Sequence, residues 1–517
     1  MSILIKNATI PDFQNKKFLT KNIIVKKNRI EDVLPKLNSI NENNFTNIID
    51  AKNLIVSPGF IDVHSHSDLA ALNKSQINPK IMQGVTTEVV GNCGISVVPV
   101  NNKNKTRWRE NYLSLWGNPE VKWLWTDTTS YLLALFNKSQ INIETLLGYS
   151  TLRYYITGLS NISYDSKLFL KMEKIISEEL EKGAKGISLG IGYVPNIYAS
   201  REEYELIFKL ARKYDKIVTV HLRNEGDKVI ESIKEIISYN KKAKAKLHIS
   251  HLKCYGKNNW SKTDKLLEYI NQLNKKYDIT FDSYPYTAGS TTLLALLPPT
   301  ILDKPVKKII KLIKQKEIQN YIEKTINEGL ENWENYSKII GFENICVTGL
   351  TSKKYKDFEM QSITEISKKL KISPIECICN ILIAEKANAS MIMFSMSEDS
   401  VIKIFKHEKH MVGSDGLYSS KPHPRTYGTF PRVINRFCKE LKVFDLITAL
   451  YQMTKFPAER FNIKNRGEIL PGNFADFVIF DYEKIKDTAD YSNPKQFPEG
   501  IKYIIINGRI INQKKSK

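Results

Sequence analysis

The chain has 517 residues, 42% of them hydrophobic and 26% charged, with a formal net charge of +22 at pH 7. That length exceeds one ordinary core and points to a large domain with attachments, and no apolar run is long enough to cross a membrane. Lysine supplies most of the positive excess, and arginines and aromatics do not gather on any one segment. The charge therefore reads as solvated surface that steers anionic substrates, with neither nucleic acid nor membrane as a partner. The start lacks the charged head, apolar block and cleavage site of a signal peptide, and cysteines at 93, 254, 346, 377, 379 and 438 fit no disulfide framework. A cytoplasmic protein with free thiols is expected.

Residues 3–56 read as short strands and turns, as in Ile3-Leu-Ile-Lys-Asn-Ala-Thr-Ile and Asn22-Ile-Ile-Val. Ala475-Asp-Phe-Val-Ile-Phe-Asp and Ile501-Lys-Tyr-Ile-Ile-Ile repeat that character near the C-terminus. Two β-rich ends around a long middle predict one small β-sandwich domain built from both termini, 1–56 plus 465–517. Between them, over 57–464, strand-like segments recur near 60–64, 86–90, 143–148, 184–190, 217–221, 246–251, 279–284 and 411–414. Helical patterns such as Phe169–Leu180 and Lys228–Ile237 separate most of them. This alternation predicts an α/β fold, a (β/α)8 TIM-type barrel whose chemistry sits at the C-terminal ends of its strands. A stretch of about 287–350 is too long for a connection and predicts an inserted subdomain, placed where a lid would sit. Its pattern Val306-Lys-Lys-Ile-Ile-Lys-Leu-Ile-Lys is that of an amphipathic helix.

The expected strand ends carry the chemistry. The first gives His64-x-His66, whose i and i+2 side chains share one face and suit one metal ion. The second runs into Gly91-Asn-Cys93-Gly, where a thiolate ligand fits, and the fifth ends at His221. The sixth gives His248-Ile-Ser-His251, the seventh Tyr284-Pro-Tyr286 and the eighth Ser414-Asp415-Gly416. Four of only eight histidines fall at these junctions, which core packing alone would not produce. His248 reads as structural, on the face opposite His251, while His407 and His410 read as surface. Residues 107–136, with Trp108, Trp116, Trp123 and Trp125, read as core packing, with a lining for an acyl pocket as the alternative.

In this order the segments PGFIDVHSHSD, GVTTEVVGNCGIS, GISLGIGYVP, HLRNEG, ISHLKCYG, DSYPYTAGST, GSDG with HPRTYGTFPRV, and RGEILPGNFADFVIFD resemble the D-aminoacylase (N-acyl-D-amino-acid deacylase) family of the amidohydrolase superfamily. The resemblance spans nearly the whole chain. It implies zinc, with Cys93, His221 and His251 as a tight site and His64 and His66 as a weaker second one. It implies Asp415 as the catalytic acid–base and Arg425, Tyr284 and Ser290 as contacts to the α-carboxylate; Tyr193 is a further expected substrate contact, and Lys253 or a lysine of the insertion is the candidate cation for an acidic side chain. Lys185 stands at the start of the fourth strand, away from the position at which related enzymes bridge two ions with a carbamylated lysine. The chain departs from the family at Tyr149, where a histidine commonly stands, at Pro195-Asn196 and in the loop from Ser414 to Arg425. These departures are expected around the mouth and to bear on acyl and side-chain preference. The activity implied is hydrolysis of an N-acyl-D-amino acid to a carboxylate and a free D-amino acid, acidic D-substrates included. A non-catalytic binding protein of the same fold is the rival from another class.

Overall fold

The computed structural model describes residues 2–35, 40–117, 119–136 and 138–513. Short apolar strands buried on both faces need helices on one side and each other on the other, and a closed parallel barrel meets that need. The barrel strands are Phe60–Asp62, Val85–Val90, Asn142–Thr145 continued by Leu147–Gly148, Gly186–Gly190, Ile217–His221, Lys246–Ile249, Ile279–Ser283 and His410–Val412. The first three pair in order, and the rest run from Leu147–Gly148 to His410–Val412, every pair parallel. The ring closes between its last and first strands through a parallel bridge from Ser65 to Gly416 and the Asp415 N–H donating to the His64 carbonyl at 2.7 Å. Lys185 lies below the fourth strand, its ammonium 3.4 Å from Glu144.

Both ends of the chain meet in one sheet. Its order is Arg509–Gln513, Ile501–Ile506, Phe477–Phe480, Ile55–Pro58, Ser2–Asp12, Lys17–Lys26 and Arg29–Pro35, with Asn47–Asp50 also paired to Ser2–Asp12. Alternate residues Ile3, Ile5, Ile23, Val25, Phe477, Ile479 and Ile505 bury one face as a separate core. Ile55–Pro58 hands the chain directly to the first barrel strand, so this sheet holds the root of the His64 strand.

Between the seventh and eighth barrel strands the chain makes a long excursion, of which 287–350 is only the first part. Ala288–Thr292 and Ile345–Thr348 both pair antiparallel with Ser390–Phe394, and helices including Val306–Leu312, Lys316–Glu328 and Pro374–Ala384 pack around them. The antiparallel partner comes from 390–394, so the subdomain extends well past the amphipathic helix that marked it. His410 is also placed differently from its expectation. It opens the eighth strand and is fully buried, 2.9 Å from Ser283 Oγ and packed on Phe405, where burial holds it neutral. The strand begins one residue earlier than the pattern suggested. His407 is half-buried, 2.8 Å from Asn271.

Candidate active site

The strand-end residues converge at the C-terminal mouth of the barrel. Cys93 Sγ lies 3.3 Å from His64 Nε2 and 3.4 Å from His251 Nε2, and His221 Nδ1 lies 2.8 Å from His251 Nε2. Asp415 Oδ1 is 3.2 Å from His66 Nε2 and 3.6 Å from His64 Nε2. All six side chains are buried. Cys93, His251 and Asp415 each stand at positive φ, 55°, 36° and 48°, a left-handed backbone that costs a non-glycine residue on the order of 1 kcal/mol. Gly190 makes room for the Cys93 turn, since a Cβ there would fall 2.1 Å from the Cys93 carbonyl oxygen.

Behind the imidazoles stand carboxylates that the sequence reading did not single out. Asp282 Oδ2, from the seventh strand, lies 3.2 Å from His64 Nδ1 and 2.9 Å from His248 Nε2. Glu225 Oε1 lies 2.8 Å from His251 Nδ1, and its Oε2 accepts from Lys253 Nζ at 2.7 Å. Burial would push Glu225 up, but Lys253, His251 and His221 hold it at about 2. The Glu225 N–H donates to Glu334 of the excursion, whose carboxyl is pushed up to about 8 by burial and then by the Glu225 charge. His248 is thus structural as expected, and it also supports the ring of His64 through a shared carboxylate. A cue existed: Asp282 and Glu225 lie one and four residues from strand ends that carry site residues.

A second buried cluster lies between the first, second and last strands. Lys80, from the helix Lys74–Ile81, reaches Asp62 at 2.6 Å, Glu88 at 3.1 Å and Ser414 Oγ at 2.5 Å. Asp62 Oδ1 accepts the Ser414 N–H at 2.8 Å, so the cluster grips the turn that presents Asp415.

The mouth opens into a cavity of ≈ 1440 Å³ that is continuous with solvent. His66, Cys93, Tyr193, His221, His251, Lys253, Tyr284, Ser290 and Asp415 line it. Tyr193 packs its ring 4.4 Å from that of His221. Arg425 is one layer back and fully buried: its Nη2 lies 2.9 Å from Asp415 Oδ2 and donates to the Ser290 carbonyl at 2.9 Å. Its guanidinium sits 4.5 Å over the Tyr284 ring, with Nε and Nη1 unpartnered. The four tryptophans are buried in stacked core contacts, as expected, but Tyr112 and Leu115 between them face the cavity. Tyr149 departs from its expected place at the mouth: its hydroxyl points outward to Glu203, between helices Ser166–Glu181 and Arg201–Lys213.

The donor set fits a metal ion, and specifically a borderline-soft one. Burial alone would raise the Cys93 thiol, yet the neighbouring His64 and His251 imidazoles hold it well below its ordinary value. Thiolate plus imidazole suits zinc. The rear nitrogen of His64 is held by Asp282, and that of His251 lies 2.8 Å from Glu225 Oε1 and 2.9 Å from Lys253 Nζ; a carboxylate behind an imidazole is the arrangement that orients metal-ligating histidines. His66 Nδ1 and both oxygens of Asp68 are buried without partners. Three donor groups have ligand atoms within 4.8 Å of one another: His64–Cys93–His251, His221–Glu225–His251 and His64–His66–Asp415.

Comparison with known proteins agrees with this geometry. Residues 47–512 match the amidohydrolase family. The chain is 31% identical over 463 residues to the N-acyl-D-glutamate deacylase of Alcaligenes xylosoxydans xylosoxydans, covering 89% of this chain and 84% of the relative. It is similar to the crystal structure of N-acyl-D-glutamate deacylase from Bordetella bronchiseptica, complexed with zinc and a phosphonate that mimics the reaction's tetrahedral intermediate. There the TM-score is 0.81 at 27% identity, over 98% of this chain and 96% of that one. A D-aminoacylase structure described for its binuclear metal centre, with activation by one metal and attenuation by a second, matches with a TM-score of 0.80 at 27% identity over 99% and 97% of the two chains. A thiolate–imidazole cluster at the mouth of a closed barrel, in a chain alike from end to end, has one reading: the protein belongs to the amidohydrolase family, within the group of the D-aminoacylases, and is a metal-dependent hydrolase of amide bonds.

Proposed function

We propose that this enzyme uses zinc to hydrolyse the amide bond of N-acyl-D-amino acids, releasing a carboxylate and a free D-amino acid. The observation that carries the reading is Cys93 Sγ within 3.4 Å of an imidazole nitrogen from each of two strands, with Asp415 Oδ1 3.2 Å from His66. Cys93, His221 and His251 would hold one ion tightly, and His64 with His66 a second more weakly. A zinc ion bound there supplies Lewis acidity, polarising the amide carbonyl and easing deprotonation of the attacking water.

Asp415 does the proton work. Its Oδ2 is anchored by Arg425 and its Oδ1 faces the imidazoles, so one oxygen is fixed and the other is free to take the water's proton. Burial opposes its charge, but Arg425, then His66 and His64, hold the carboxyl well below the usual range, so it starts the cycle as a base. The same Oδ1 then delivers the proton to the departing amine nitrogen. Lys253, Tyr284 and Ser290 face the cavity and receive the substrate's α-carboxylate, with the Arg425 charge behind them. Tyr193, packed on His221, limits the other side of the reacting centre. The D-preference comes from the likeness to D-aminoacylases.

Among the described residues the cavity wall carries two lysines, Lys253 and Lys304, and each is ion-paired, to Glu225 and Asp303. With Lys253 given to the α-carboxylate, Lys304 is the lysine left on the described wall for an acidic side chain, and its pairing to Asp303 supports uncharged D-side chains over acidic ones. The test is metal content and amidase activity of wild type and Cys93→Ala on N-acetyl-D- and N-acetyl-L-methionine. The expected result is about one tightly held zinc per chain, lost in the variant, with release of D-methionine only. A protein that retains zinc after Cys93→Ala, or releases L-methionine equally well, would sink the assignment.

A further inference from the structure

The cavity has two halves of different chemistry, and the barrel assigns each to a part of the substrate. In a closed ring of eight strands the third lies across from the seventh. Lys253 follows the sixth strand, Tyr284 the seventh, and Ser290 opens the excursion beside them. Taking these as the α-carboxylate contacts, an inference that rests on the deacylase reading above, puts the amino-acid half of the substrate on that side.

The opposite side is hydrocarbon. Ile95 follows the second strand, and Leu159 follows the third strand's helix Tyr149–Thr157. Facing them, the excursion brings Leu294, Ala295 and Val306 across the mouth. Two contacts pin it there: Tyr198 Oη, beyond the fourth strand, donates to the Pro299 carbonyl at 3.1 Å, and Lys307 Nζ lies 3.0 Å from Glu110.

An N-acyl amino acid has its carboxylate and its side chain on one carbon, beyond the amide nitrogen. The acyl chain leaves the scissile carbonyl the other way. With the carbonyl over the Cys93–His251 cluster and the carboxylate at the sixth and seventh strands, the acyl chain points into the hydrocarbon half. We propose that this half is an acyl-chain subsite and that the substrates are D-amino acids carrying a long hydrocarbon acyl group. An acetyl group ends at the cluster and leaves Leu159, Leu294 and Val306 facing water, whereas a chain of ten carbons covers them.

The test compares kcat/KM for N-decanoyl- and N-acetyl-D-methionine in the zinc-loaded enzyme, beside binding of decanoate and acetate by calorimetry. Burying one methylene changes an equilibrium by about fourfold, so burial of about three or four of the roughly eight extra carbons is expected to favour the decanoyl substrate on the order of a hundredfold. Ala295→Phe and Leu159→Phe narrow the subsite from opposite walls, and each is expected to lower the decanoyl-to-acetyl ratio about tenfold and to weaken decanoate binding. A wild-type ratio near one, with decanoate bound no more tightly than acetate, overturns the proposal and needs no variant to fold. If decanoate binds tightly and loses affinity in both variants while neither amide is cleaved, the subsite stands and the deacylase reading falls.

Discussion

Two polar clusters lie buried side by side at the top of this barrel, and they differ in the donor groups that they gather. In the first, Lys80 answers Asp62 and Glu88, and the hydroxyls of Ser65, Ser67 and Ser414 add further bonds, with Glu88 Oε2 left unpartnered. In the second, Cys93, His64, His221 and His251 bring a thiol and imidazole nitrogens within 2.8–3.4 Å of one another, with Lys253 Nζ behind them, 2.9 Å from His251 Nδ1. The first cluster answers its carboxylates with a lysine, and the second gathers a thiol and imidazoles, the donor types that suit a metal ion. An ion pair can close a buried cluster without any further group, so the donor chemistry of the second cluster marks the candidate site and the lysine–carboxylate set of the first marks the scaffold.

Three substitutions sharpen or break that distinction. The largest effect is expected from Asp415→Asn, which keeps the shape and removes the acid–base group. It should lower kcat on the order of a hundred- to ten-thousand-fold while the bound zinc, measured by mass spectrometry of the native protein, stays at the wild-type level. Retention of more than a tenth of wild-type kcat would end the acid–base role. Next is Lys80→Met, which leaves Asp62 and Glu88 as uncompensated buried charges and is expected to cost about 3–5 kcal/mol of stability. Chemical denaturation checks it, and a loss under 1 kcal/mol would mean that the closed cluster is not what holds the first and last strands together. The smallest is Asp282→Asn, which loosens the ring of His64 from behind. It is expected to weaken metal binding by about ten- to a hundredfold in a chelator competition, with little change in denaturation midpoint for the metal-free protein. Unaltered affinity would place Asp282 with the scaffold.

The barrel and much of the site were legible because both obey a short period. Strand alternation puts His64 and His66 on one face, and four histidines at strand ends cannot be an accident of packing. What supports them was not legible. Lys80 sits in a polar helix, Lys-Ser-Gln-Ile-Asn-Pro-Lys-Ile, where a lysine reads as surface, and only the fold turns it inward. Asp282 is one carboxylate in a strand, and its two histidine partners come from segments 218 and 34 residues away. Arg425 looked like a substrate contact because a guanidinium matches a carboxylate. The structure engages it first with Asp415 and the Ser290 carbonyl. His410 and Tyr149 each open an element: His410 begins the eighth strand instead of preceding it, and Tyr149 begins a helix that carries its hydroxyl to Glu203.

The sheet built from both ends of the chain carries a consequence for biosynthesis. Ile55–Pro58 pairs antiparallel with Phe477–Phe480, and the strand bearing His64 begins two residues after it. A ribosome making this protein has therefore exposed His64, Cys93, His221 and His251 long before it makes the strand that fixes the first of them in place. Contacts so distant in sequence form late and slowly. The candidate site is thus rooted only once residues 477–480 have been made, more than 200 residues after the last of these four side chains.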